Sequence, residues 1–208
     1  MITEKIFVKT DGTGIEEALS QVDQFIMESE IKGKTAIHIR LFAEEALGMV
    51  RAMTGEFKAL FWLESDTSAC NLRLKLNTEM NAEKRRQLLS ASSTGKNAAV
   101  KGIMGKIREM IEIGFEGYRE SDKLRMEYGI GSMGSWEMGL SGKGSTAAAA
   151  AIWSLNDYKE AVEDARAAGK IYTEEWDELE KSVIANIADD VTVGISQDSV
   201  EMRITKKF

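Results

Sequence analysis

The chain has 208 residues, 43% of them hydrophobic and 29% charged, which suits a folded globular protein with one sizeable core. Its net charge of -7 argues against general nucleic-acid binding and against docking on anionic lipid, since both need a basic surface. One cysteine, Cys70, excludes an intrachain disulfide, and one histidine, His38, excludes multi-histidine metal sites, so neither zinc nor haem is expected. The N-terminal residues lack an apolar signal core, and the longest apolar run, residues 147–153, is too short to span a bilayer. The expectation is a cytoplasmic protein with no membrane contact.

In chain order, residues 5–9 read as a short strand, broken by Asp11-Gly12-Thr13-Gly14. Residues 15–31 carry Ile15, Leu19, Val22 and Ile26 at helical spacing. Residues 35–53 form the strongest helix pattern, with Ile39, Phe42, Ala46, Met49 and Met53 on one stripe. Glu44, Gly48 and Arg51 share another face of that helix. Gly48 costs about 1 kcal/mol relative to Ala in a helix interior, which suggests a close approach by something. Residues 57–64 and 71–77 alternate apolar and polar, as expected of half-solvated antiparallel strands, with Arg73 and Lys75 on the polar side.

Residues 81–90 read as a short basic helix and 92–97 as a polar loop. Residues 98–115 read as a helix with Val100, Ile103, Ile107 and Met110 on one stripe. Residues 121–144 mix glycines with Met126, Met133, Trp136 and Met138 and read as a sticky loop. An Ala-rich helix should start at Ser145 or Thr146, break near residues 154–156 and run to Gly169. A further helix capped by Thr173 should carry Trp176, Leu179, Val183, Ile184 and Ile187 on its core side. The alternation of Val191, Val193 and Ile195, then Val200, Met202 and Ile204, predicts a hairpin turning at Gln197-Asp198.

Residues 129–134 match GxGxxG literally, but the charged residues 123–127 before them are not the buried strand a dinucleotide fingerprint needs. The phosphate-loop pattern around Gly95-Lys96 fails too, because it would need Gly at 90 and Ser or Thr at 97, where Ser90 and Asn97 stand. Flexible backbone ahead of the 98–115 helix could still offer amides to a phosphate, helped by Lys96. Glu44 and Glu45 are about 100° apart on a helix, so they are not a catalytic dyad.

The order of elements, together with Leu41-Phe42-Ala43-Glu44-Glu45-Ala46-Leu47-Gly48 on the second helix, resembles the histidine-kinase-like ATPase (GHKL) fold, especially the anti-sigma-factor serine kinases. In that family the second helix carries a Glu-x-x-x-Asn box whose Glu activates water or substrate and whose Asn holds magnesium. Glu44 matches the Glu. Gly48 stands at the Asn position and has no side chain to hold the metal. The family's next strand ends in Asp-x-Gly-x-Gly; here Asn77 stands at the adenine-contacting Asp, and both glycines are replaced. Gly102 and Gly105 resemble the later glycine-rich box, with Gly95 in the lid region before it.

The resemblance covers residues 5–115 and the terminal hairpin. It implies a regulatory, degenerate ATP- or ADP-binding domain that acts on another protein, with a homodimer as a further partner to consider. Any catalysis would be serine phosphotransfer or ATP hydrolysis, and the missing Asn points to a pseudoenzyme. The alternative is a nucleotide-independent interaction module using the loop at 126–140. The expected fold is an α+β two-layer sandwich: a mixed, mainly antiparallel sheet with helices on one face and added C-terminal helices. One domain should span 1–208, with a helical insertion at about 120–188.

Overall fold

The computed structural model describes residues 1–53, 57–77, 103–105, 107–108, 151–168, 179–180, 182–195 and 199–208. Its centre is a six-stranded sheet. The strands are β1 (Ile6–Lys9), β2 (Lys58–Ser65), β3 (Ala69–Asn77), β4 (Ala151–Ser154), β5 (Asp190–Ile195) and β6 (Ser199–Lys207), in the spatial order β1-β2-β3-β6-β5-β4. All five pairings are antiparallel, the limiting case of the mainly antiparallel sheet that the alternating strands imply. The helices are α1 (Ile15–Glu28), α2 (Gly33–Ala52), α3 (Leu155–Ala167) and α4 (Val183–Ile187).

The period-2 side-chain pattern decides which face is covered. Ile6, Phe61, Leu74, Met202, Val193 and Trp153 stand opposite one another in a row that crosses all six strands, and all are buried. The apolar stripe of α2, including Ile39, Phe42, Ala46 and Val50, joins the same core cluster, as do Val22 and Phe25 of α1. Each such fully buried side chain contributes about 1.5–3 kcal/mol over leaving it in water. Residues 103–105 and 107–108 are helical, and Ile103 and Ile107 are both buried in this core, in line with the expected stripe.

Two expectations change. The Ala-rich stretch does not reach Ser154 as a helix: Ala151–Ser154 is strand β4, pairing with β5 from Ala151↔Ile195 to Ser154↔Thr192. The Ser154 hydroxyl then accepts from the Asp157 amide at 3.3 Å and caps α3, a bond worth about 1 kcal/mol. The helix expected to run on to Ile187 is interrupted at Ser182, which is extended (φ -80°, ψ 118°) and caps α4 by accepting from the Ala185 amide. The loop at 126–140 and the basic helix at 81–90 lie outside the described residues.

The turn between β1 and α1 folds back along the outer edge of β1. The Lys9 amide donates to the Thr13 carbonyl, and the Gly12 amide to the Lys9 carbonyl. Gly14, at φ 80°, ends this turn, and a Cβ there would collide with the Phe7 carbonyl oxygen.

Candidate functional site

Helix α2 has two flanks on either side of its buried stripe. One carries Arg40, Glu44 and Arg51 and abuts α1. Arg40 donates from Nη1 to the Leu19 carbonyl at 2.9 Å and to Asp23 Oδ2 at 2.7 Å, and from Nε to Glu44 Oε1 at 2.9 Å. Glu44 is therefore exposed and already paired within its own helix. Gly48 is also exposed, and among the described residues no atom outside its chain neighbours and the adjoining helix backbone lies within 4 Å of the place a Cβ would occupy. Among the described residues, no other part of the chain makes the close approach that a glycine in mid-helix suggests.

The other flank carries His38, Glu45 and Ala52, at i, i+7 and i+14. The helical residues 107–108 meet α2 near Ala52, where Arg108 Nη1 donates to the Ala52 carbonyl at 3.0 Å. Helix α2 ends at Ala52, and β2 begins at Lys58 beside the Asn77 end of β3, since Ala59 stands opposite Leu76. The last turn of α2, with the Arg108 side chain on it, and the end of β3 therefore share one end of the sheet. Of the eight residues singled out in the sequence, Glu44, Gly48 and Arg51 lie along one exposed side of α2, Asn77 closes β3, and Gly105 is buried. Gly95, Lys96 and Gly102 lie outside the described residues. Glu45 is exposed as well and lies on the other flank of α2, the one that carries Ala52. The signal that could have separated the pair is the Arg40–Glu44 spacing of four, which commits Glu44 to an ion pair.

A surface cleft of about 500 Å³ lies elsewhere, lined by Asp11, Gly12, Gly14, Glu16, Glu17 and Arg51. Hydrogen bonds from the Thr13 side chain and amide hold the Asp11 carboxyl below its usual range. Three carboxylates around one guanidinium do not suit a polyphosphate. Burial pushes the Cys70 thiol up to about 12, so it offers no thiolate nucleophile. Among the described residues no group of three or more His, Cys, Asp and Glu side chains could hold a metal ion, and no helix is long and apolar enough to cross a membrane. No protein-family model, curated protein or solved structure matches this chain.

Proposed function

We propose that the chain is a regulatory domain that binds ATP or ADP at the end of the sheet where α2, β3 and the helical residues 107–108 come together, with little or no phosphotransfer. The observation that supports this most is that convergence. Three segments far apart in sequence, each matched to a motif of the histidine-kinase-like ATPases, reach the same end of one antiparallel sheet. Within the reading, Glu45 replaces Glu44 as the glutamate facing the nucleotide, because Glu44 is held by Arg40 on the α1 side. The box then ends on Met49, whereas with Glu44 it ends on Gly48. Neither offers the oxygen donor that a hard cation such as magnesium needs. The residues present therefore do not fit a magnesium-assisted transfer, and no catalytic step is assigned.

Calorimetry with ATP and ADP, with and without magnesium, tests this. The expected result is saturable binding that changes little when the metal is withheld, and that weakens in Glu45→Ala more than in Glu44→Ala. An absence of heat up to millimolar nucleotide, with the fold intact by circular dichroism, would overturn it.

A further inference from the structure

We propose that the exposed corner of the sheet formed by β1, β2 and β3, on the face away from α1 and α2, is a docking surface for a short acidic polypeptide segment. This proposal does not rest on the nucleotide reading, because it concerns the opposite face. Phe7 and Leu60 stand directly opposite each other across β1 and β2, and Phe7 is 64% exposed. Four lysines surround them. Lys9 and Lys58 are a directly opposed pair, Lys75 stands across from Leu60, and the Lys5 ammonium lies 4.8 Å from the centre of the Trp62 ring.

Two carboxylates on this face of the sheet are already engaged. Glu201 stands opposite Lys75, but its Oε1 accepts from Arg73 Nη1 at 2.7 Å. Glu64 accepts from Arg73 Nε and from Trp62 Nε1, both at 2.8 Å. Among the described residues none of the four lysines has a carboxylate within ion-pair distance. Like charges directly opposite on neighbouring strands destabilise a sheet, so the Lys9–Lys58 pair costs the fold free energy, offset only in part by the attraction between Lys9 and the nearby Asp11 carboxylate among the described residues. A bound anion would supply that compensation.

The size of the patch and the charge around it select the occupant. Three strands span only about 10 Å at their usual spacing. Around this cluster of unpaired cations, the chain as a whole carries -7. A long polyanion such as single-stranded nucleic acid would run off the patch onto a surface that repels it. A peptide with a few carboxylates flanking one apolar side chain would match the lysines and seat its apolar group on Phe7 and Leu60.

The test is fluorescence anisotropy with a labelled Glu-Glu-Leu-Glu-Glu peptide, its Gln-Gln-Leu-Gln-Gln counterpart and a thymidine oligonucleotide. Saturable binding of the Glu peptide is expected, lost between about 50 and about 500 mM salt as the charges are screened. Lys58→Glu combined with Lys75→Glu should weaken it about tenfold or more, and Phe7→Ser should weaken it as well. Lys58→Glu alone should weaken binding while holding or raising Tm, because it turns a repulsive pair into an attractive one, and that separates loss of docking from loss of fold. Equal binding of the Gln peptide, tighter binding of the oligonucleotide, or full affinity in the double variant would each overturn the proposal.

Discussion

Two rows of side chains cross the sheet one residue apart, and they have little in common. The first, Ile6-Phe61-Leu74-Met202-Val193-Trp153, faces the helices and is apolar from edge to edge. The second, Trp62-Arg73-Arg203-Thr192-Ser154, faces the other way. There Arg73 and Arg203 stand opposite each other, and burial, with Arg73 adding to it, lowers the pKa of Arg203. Arg73 in turn bridges Glu64 and Glu201. The first row is held by area removed from water, which has no direction. The second depends on particular partners at particular distances. A slip of one residue would exchange the rows, so the same contrast that separates the faces also fixes the register.

The contrast can be broken most severely in the apolar row. Phe61→Ala should lower the unfolding free energy by about 3–5 kcal/mol, read from urea denaturation, because it leaves a cavity at a fully buried position of the core. In the polar row, Arg73→Ala leaves two carboxylates without their cation. A wholly buried pair broken in this way costs about 3–5 kcal/mol, but Glu64 is about a quarter exposed, so a loss of about 2–3 kcal/mol is expected. Losses of equal size in the two variants would contradict the distinction between the rows.

A substitution away from both rows sharpens the baseline. Gly48→Ala should raise stability by about 1 kcal/mol, since the added methyl meets open space on an exposed helix face. A loss there would mean that something occupies that face in solution.

The smallest change concerns Asp189, between α4 and β5. Partial burial raises its carboxyl pKa, but this is outweighed by the Lys207 amide and by Lys206, which leave it below its ordinary 3.8. A carboxylate whose folded pKa is depressed contributes stability that is present above 3.8 and lost as pH falls through the folded value. Asp189→Asn should therefore lower stability slightly at neutral pH, change it least at the acid end, and so flatten the acid limb of a stability–pH curve below about pH 4.

The apolar row was legible because alternation survives in a single sequence: Val191 and Val193, then Val200, Met202 and Ile204, can be read without knowing what they pair with. Strand β4 was not legible. Residues 147–153 are mostly alanine, whose local preference is helical, and only pairing with β5 and the burial of Trp153 make the last of them a strand. The candidate site was half legible. The helix and its buried stripe followed from periodicity, but the choice between Glu44 and Glu45 depended on Arg40 reaching Leu19 and Asp23 on another helix. The spacing of four between Arg40 and Glu44 marks their pairing, but no spacing rule within α2 contains the contacts that anchor Arg40 on α1.

The turn that folds over β1 has a further consequence, for life in a crowded solution. A strand at the border of a sheet is a template on which a second molecule can add its own backbone, and chains so joined can grow without limit. Here the Thr13 carbonyl already takes the Lys9 amide, and Gly14 lies against the Phe7 carbonyl, so a foreign strand finds these positions filled. Only glycine fits at position 14. Any larger residue would push the turn away and uncover the strand, and a single methyl group would then bear on whether the protein stays dispersed or assembles into aggregates.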